Sequence, residues 1–202
     1  VQDGYVSRIS VSPWGYGNGL YITHPNGTTT VYGHLQKFSS KIAAYLKEKQ
    51  YEQESFNVNL TLTSDELPVK EGEIVALSGN TGSSGGPHLH FEVRDTEAEE
   101  PMDPIEYYKD LIEDTRPPQI QGIMIYPMLG KGVVNGSGRK LELKPVTPKN
   151  GKPTLTGKIE AWGEIGLAIK GYDYMDNTSN IYGIKDITLT VDSQVIYRSD
   201  LN

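Results

Sequence analysis

The chain has 202 residues, which is enough for one large domain or two modest ones. Its 26 acidic residues outnumber 19 lysines and arginines, giving a formal charge of -7 with no basic stripe. Nucleic acid is therefore not expected as the main partner, because binding to phosphates needs clustered basic side chains. The lack of cysteine excludes disulfide scaffolds and thiolate metal sites. The chain contains no apolar run of about 18 residues, so no membrane span is predicted.

Alternating polarity and turn residues predict a mainly β N-terminal region. The pair Asn26-Gly27 is a strong hairpin signal between two short strands. Apolar residues at helical spacing predict one inserted helix over residues 39–54. A glycine- and serine-rich loop is predicted over 79–87. The predicted strands are 5–11, 20–23, 28–35, 56–62, 73–78 and 88–94.

Two adjacent prolines, Pro117 and Pro118, mark the best candidate for a domain boundary. Proline neither continues a helix nor joins a sheet interior. Upstream, Asp103 followed by Pro104 is typical of a helix start, so a short helix is predicted over 104–113. We therefore predict two domains, at residues 1–114 and 119–202.

The second domain is predicted to be a β-sandwich of immunoglobulin-like type. Its strands are expected over 120–126, 141–146, 157–172 and 187–198. These are fewer strands than a complete sandwich needs, and the chain begins at Val1 with a sequence typical of a strand interior. Both ends are therefore expected to be truncated.

The strand predicted over 88–94 has the most informative sequence in the chain, because it holds two of the four histidines. Side chains alternate along a strand, so Leu89, Phe91 and Val93 are expected to face the core. His88 and His90 would then share the other face with Glu92 and Arg94, about 7 Å apart at ~3.3 Å per residue. One imidazole could ligate a metal while the other handles a proton. The alternative is a solvated strand face that happens to carry two histidines.

The other two histidines have different expected roles. His34 follows Gly33 at the end of a predicted strand, and the small glycine would let a neighbour approach closely. His34 and Tyr32 are expected on the same face, where His34 is a candidate donor to a developing oxyanion. A structural role is the alternative for a lone strand histidine. His24 precedes the Pro25-Asn26-Gly27 turn and is interpreted as a turn residue.

Three segments together resemble the lysostaphin-type (LytM-like) zinc metallopeptidases. They are Tyr32-Gly33-His34-Leu35, the glycine-rich loop over 78–86, and Pro87-His88-Leu89-His90-Phe91-Glu92. The resemblance covers roughly residues 1–94. It implies an antiparallel β-sheet peptidase that hydrolyses peptide bonds of bacterial peptidoglycan with one zinc ion. It further implies that His90 is a zinc ligand, that His88 is the general base and that His34 steadies the tetrahedral intermediate.

The sequence departs from this family in its metal ligands. Catalytic zinc usually takes three protein ligands and one water. The family draws two of them from a His-x-x-x-Asp motif upstream of the strand that starts near Asp3, and no histidine precedes His24 here. The missing ligands are expected upstream of Val1, so residues 1–202 alone are expected to be inactive. Another segment supplying them, or a degenerate site, are the alternatives.

Two functions follow as expectations. The first is a zinc-dependent endopeptidase acting on peptidoglycan peptides, exported to the bacterial envelope or periplasm. The second is a catalytically inactive module of the same fold that binds wall peptides or activates another hydrolase. The segment 36–69 is longer than the family's usual connection. Its helix is expected either to wall the substrate groove or to be a packing decoration.

Overall fold

The computed structural model describes residues 1–149 and 151–200, which form two compact units. The first unit is Val1–Tyr107 and the second begins at Tyr108. The predicted domain limits, 1–114 and 119–202, remain a prediction. The prediction of a mainly β chain with antiparallel sheets is confirmed. Within the described residues, no helix is both long and apolar enough to cross a membrane.

The first unit is built on one antiparallel sheet of seven strands. Six of its strands form the order β5-β1-β2-β3-β8-β9, and β6 pairs with β1. The short strands β4 and β7 form a separate pair. The elements are β1 Gly4–Val11, β2 Asn18–Thr23, β3 Thr28–Gly33, β4 Lys37–Phe38, α1 Ser40–Glu52, β5 Val58–Thr61, β6 Pro68–Val69, β7 Ala76–Leu77, β8 His90–Asp95, β9 Pro101–Met102 and α2 Ile105–Tyr108.

One face of this sheet carries the hydrophobic core and the other is polar. Leu20 and Ile22 of β2 lie in the core cluster, together with Ile42 and Leu46 of α1. The inserted helix therefore packs on the core face, because its apolar residues at helical spacing are buried there. This position agrees with the packing alternative and not with a helix that walls the polar face.

A β-bulge in β1 sets which residues reach the polar face. The register with β2 shifts between Val6 and Arg8, so Ser7 and Arg8 together lie opposite Tyr21. Val6 and Ile9 on either side are both fully buried. Simple alternation would place Val6 and Arg8 on the same face. The bulge instead turns Arg8 away from the core.

The second unit contains a three-stranded antiparallel sheet, order β11-β10-β12, and a two-stranded sheet, β13-β14. Its strands are β10 Gln119–Val134, β11 Leu141–Leu143, β12 Ala161–Tyr172, β13 Asp186–Val191 and β14 Gln194–Asp200. An immunoglobulin-like sandwich is not confirmed by these strands. The single strand predicted over 187–198 is wrong. Asp192 and Ser193 both have positive φ, and this geometry turns the chain into a tight hairpin.

Candidate active site

His90 begins strand β8 and projects from the polar face of the sheet. Strand β8 pairs with β3 in the register Gly33↔His90, Val31↔Glu92 and Thr29↔Arg94. A Cβ atom added at Gly33 would lie 3.1 Å from the His90 Cβ, so the expected close approach at this glycine is confirmed. The absence of a side chain at Gly33 therefore leaves room for the His90 side chain at the end of the sheet.

His34 leaves strand β3 through a left-handed backbone conformation, with φ at 59°. Non-glycine residues rarely adopt this region, and such residues concentrate at functional sites. The expectation that His34 shares a face with Tyr32 is wrong, because the left-handed turn redirects the His34 side chain. Tyr32 packs against the core, whereas the His34 ring lies 5.9 Å from the His90 ring.

His88 and Leu89 also differ from their expected strand positions. Strand β8 starts at His90, and His88 only makes an isolated bridge with Gly79. Leu89 is 45% exposed, so its predicted place in the core is wrong. The partner strand β3 ends at Gly33, opposite His90, so no residue of β3 pairs with His88 or Leu89. Val93 is buried, as the alternation predicted.

Three imidazole rings meet at this end of the sheet. The His34 ring centroid lies 4.7 Å from that of His88 and 5.9 Å from that of His90. The Tyr16 ring covers His90 at 4.6 Å. His34 is 6% exposed, whereas His88 is exposed. The cluster thus combines one fixed, buried imidazole with one that solvent or a ligand can reach.

Backbone carbonyl groups define the free nitrogen on two of these rings. The His34 Nδ1 atom lies 2.7 Å from the Thr81 carbonyl oxygen, and the His88 Nδ1 atom lies 2.8 Å from that of Gly86. A carbonyl oxygen only accepts, so both Nδ1 atoms carry the proton. The Nε2 atom of neutral His34 and of neutral His88 is therefore a proton acceptor.

Glu92 orients the His90 ring through a hydrogen bond to its Nε2 atom. Its Oε1 atom accepts hydrogen bonds from His90 Nε2 and from the Tyr16 hydroxyl, both at 2.5 Å. Its Oε2 atom pairs with the Arg94 guanidinium at 2.6 Å. With Nε2 engaged, His90 presents Nδ1 as its free nitrogen. A carboxylate on the far ring nitrogen is the usual way to orient a metal-binding histidine.

The same network changes the acidity of the Glu92 carboxyl. Burial raises its pKa, but hydrogen bonds from Arg94, Tyr16 and His90 outweigh burial and lower the pKa from 4.5 to about 2. The Glu92 side chain is only 15% exposed, so solvent screens these contacts weakly. The hydrogen bond to Glu92 in turn raises the pKa of the Tyr16 hydroxyl.

Replacing Glu92 with glutamine is expected to reduce the acid sensitivity of folding. A depressed carboxyl pKa gives stability that is fully present above the unfolded value, near 4.5, and is lost as the pH falls through about 2. The contribution is of order 3 kcal/mol at neutral pH. Urea unfolding at pH 5 and pH 2 should show a smaller pH-dependent loss for Glu92→Gln than for wild type. Equal losses in both proteins would contradict this account, and exposed Glu97→Gln is the control.

The glycine-rich loop holds His34 through Thr81. The Thr81 Oγ1 atom accepts from the Asn18 backbone N–H at 2.9 Å and donates to the Leu35 carbonyl at 3.0 Å, while its own carbonyl fixes His34. The backbone N–H of His34 donates to the Tyr16 carbonyl at 2.7 Å. Sequence reasoning missed Tyr16 and Thr81. A tyrosine between Gly15 and Gly17 was the available signal for a shaped turn.

The residues present do not fit a catalytic zinc ion by themselves. Such a site needs three protein ligands. Of the three clustered histidines, only His90 combines a free ring nitrogen, Nδ1, with a carboxylate that orients its ring. Among the residues that the structure describes, no group of three or more His, Cys, Asp or Glu side chains could hold a metal ion. A zinc centre would require further ligands.

The first unit combines an antiparallel sheet with a histidine cluster at its end, and its sequence motifs resemble those of lysostaphin-type peptidases. Residues 47–104, less than a third of the chain, match the model of Peptidase family M23. Sequence reasoning placed the resemblance over roughly 1–94. The family match therefore overlaps it and also includes the short strand β9.

Similar proteins include two bacterial peptidases. The chain is 36% identical over 80 residues to the DD-carboxypeptidase/endopeptidase Mpg of Neisseria meningitidis serogroup B, which is 40% of this chain and 13% of that protein. It is 34% identical over 90 residues to an uncharacterized metalloprotease of Haemophilus influenzae, 45% of this chain and 14% of that protein. The match thus spans about one seventh of either relative.

Among solved structures, similarity is found to a zinc-containing peptidase from Vibrio cholerae. The two chains are 32% identical, with a TM-score of 0.35 over 50% of this chain and 24% of that one. The catalytic domain of lysostaphin from Staphylococcus simulans is 26% identical, with a TM-score of 0.37 over 54% of this chain and 67% of that one.

Proposed function

We propose that this chain contributes the histidine cluster of a zinc-dependent endopeptidase that hydrolyses peptide bonds of bacterial peptidoglycan. The observation that carries the proposal is the meeting of three imidazoles, two of which, His88 and His90, lie in the segment that matches Peptidase family M23. The proposed roles are His90 as a metal ligand, and His34 and His88 as catalytic residues. Peptidoglycan lies in the bacterial envelope, so the proposed site of action is the envelope or periplasm.

His88 is suited to the role of general base. Its Nδ1–H is engaged by the Gly86 carbonyl, which leaves an unprotonated Nε2 on an exposed ring. A base must reach the proton that it removes, and an exposed imidazole above the sheet meets this need. Ser84 Oγ lies 3.2 Å from the same Nδ1 and supports the ring from the loop side.

His34 is suited to stabilising negative charge on the substrate. Its hydrogen bond to the Thr81 carbonyl determines the protonation state that this role requires. With Nδ1–H donated to Thr81, the Nε2 atom of His34 carries a proton only in the imidazolium form. An imidazolium is a strong donor to a developing oxyanion. The proposed role therefore requires His34 to be charged when it contacts the substrate.

The zinc in this proposal needs ligands from polypeptide other than residues 1–202. The test is metal content and cleavage in the full-length protein purified without added metal. We expect about one zinc per chain, solubilisation of purified peptidoglycan, and loss of cleavage on chelation. Residues 1–202 alone should bind no zinc tightly.

A second candidate is an inactive module that binds wall peptides or activates another hydrolase. The lack of a three-ligand group among the described residues favours it. Full-length protein that holds no zinc, even after zinc is supplied, and cleaves no peptidoglycan would contradict the endopeptidase and leave this candidate.

A further inference from the structure

A polar pocket lies on the same face of the sheet as His90, farther along strand β8. Its volume is about 380 Å³ and it is lined by side chains of five strands and the turn after β8. Arg8, Tyr21, Thr23 and Arg94 are among the lining residues. His90, Glu92 and Arg94 alternate onto one face, so the pocket continues the surface that begins at the histidine cluster.

Arg8 holds a cationic group over this pocket and forms no ion pair with a carboxylate of the described residues. Its Nε atom donates to Asn59 Oδ1 at 2.6 Å, and its guanidinium stacks over the Tyr21 ring at 4.9 Å. These contacts fix the plane of the guanidinium and leave its two terminal nitrogens without an ion pair among the described residues. Arg94 also lines the pocket, but its charge is paired with Glu92.

Other groups in the pocket suit a peptide with an anionic group. Hydroxyl groups of Ser7, Thr23, Thr29 and Thr96 form a chain across the strands, with contacts of 2.8, 3.0 and 2.9 Å. They can exchange hydrogen bonds with peptide amides. Asp95 also lines the pocket, but its Oδ1 accepts the backbone N–H groups of its own turn, from Glu97 and Ala98. Glu99 is exposed, where solvent screens its charge.

We propose that this pocket binds a carboxylate of the peptide substrate through Arg8. Arg8 lies in register with Tyr21 of β2, Val31 of β3 and Glu92 of β8. Three strand spacings of ~4.8 Å and two residues along the strand at ~3.3 Å place it about 16 Å from His90, a length that about five residues of extended peptide cover. The substrate is thus a peptide with a carboxylate, terminal or on a side chain, about five residues from the bond held at the histidines. A planar guanidinium binds a carboxylate through two parallel hydrogen bonds. This inference rests on the proposed function.

The test compares two probes that differ only in charge. They are an alanine pentapeptide with a free C-terminal carboxylate and the same peptide as its C-terminal amide. Binding to residues 1–202 is followed by backbone amide NMR shifts, which need no catalysis. We expect the carboxylate form to bind about tenfold more tightly, with shifts centred on residues 7–9, 23 and 96.

Three variants assign the effect to Arg8. Arg8→Gln should bind both peptides equally, and Arg8→Lys should keep part of the preference, because a lysine retains charge without the planar fork. Arg139→Gln removes an exposed arginine from the second unit and should keep the full preference. The inference is overturned if wild type binds both peptides equally or binds neither at millimolar concentration. It is also overturned if the preference survives in Arg8→Gln.

This experiment separates the pocket from the proposed reaction. Full-length protein that cleaves peptidoglycan, together with equal binding of the two pentapeptides, would remove the carboxylate pocket and keep the peptidase. Full-length protein that cleaves nothing would remove the peptidase, while a carboxylate preference lost in Arg8→Gln would still establish the binding site.

Discussion

Peptide cleavage by the full-length protein is expected to fall at least about a hundredfold when His88 is changed to alanine. Proton transfer by a positioned imidazole typically contributes between about 10²- and 10⁴-fold to a rate. His88 is exposed and lies outside strand β8, so its removal leaves no cavity in the core. The free energy of unfolding should therefore change by no more than about 0.5 kcal/mol. Release of soluble peptides from peptidoglycan measures the rate.

His24 provides the matched control for this variant. It is 4% exposed, and its two ring nitrogens contact the Asp3 carbonyl at 3.0 Å and Thr30 Oγ1 at 2.8 Å. His24→Ala should therefore lower the free energy of unfolding by about 1–3 kcal/mol, because it empties a buried site and removes both hydrogen bonds of the ring. Under conditions where it is folded it should keep its cleavage rate. Equal rates for wild type and His88→Ala would remove His88 from the reaction.

The sequence predicted much of the first unit because hydrophobic periodicity and turn chemistry are local signals. The α1 helix was predicted within two residues of each end, and the core position of Val93 followed from alternation in β8. The close approach at Gly33 was also predictable, since only glycine leaves that space beside a neighbouring strand. In each case the information lies within a few residues of the element concerned.

Where the sequence was insufficient, the deciding contacts were distant along the chain. The left-handed turn at His34 is held by Tyr16 and Thr81, 18 and 47 residues away. The end of strand β3 sets where β8 can begin, and for that reason Leu89 is exposed. The bulge at Ser7 and Arg8 is visible only once β2 is paired with β1. The local pattern of polar and apolar residues does not indicate contacts between residues that are distant in sequence.

The turn at Gly15 and Gly17 is hydrogen-bonded to the glycine-rich loop next to Gly82. We expect substitution of Gly82 to have a second large effect on stability and cleavage. Gly82 has φ of +72°, and a Cβ atom there would lie 2.5 Å from the Gly15 carbonyl oxygen and 2.6 Å from the Gly17 Cα atom. Its neighbour Ser83 donates its backbone N–H to that same Gly15 oxygen at 2.9 Å. An alanine at position 82 thus meets backbone that cannot rotate away.

Gly82→Ala is expected to lower the free energy of unfolding by about 1–3 kcal/mol, from backbone strain and the forced separation of the two turns. It should also lower cleavage by about a hundredfold, because the Thr81 carbonyl that fixes His34 moves with the turn. Gly85→Ala lies in the same loop, has no atom within 4 Å of its added Cβ, and should match wild type in both properties. Urea unfolding of residues 1–202 and peptidoglycan cleavage by the full-length protein measure the two effects. If Gly82→Ala and Gly85→Ala behave alike, the loop does not position His34 through this contact.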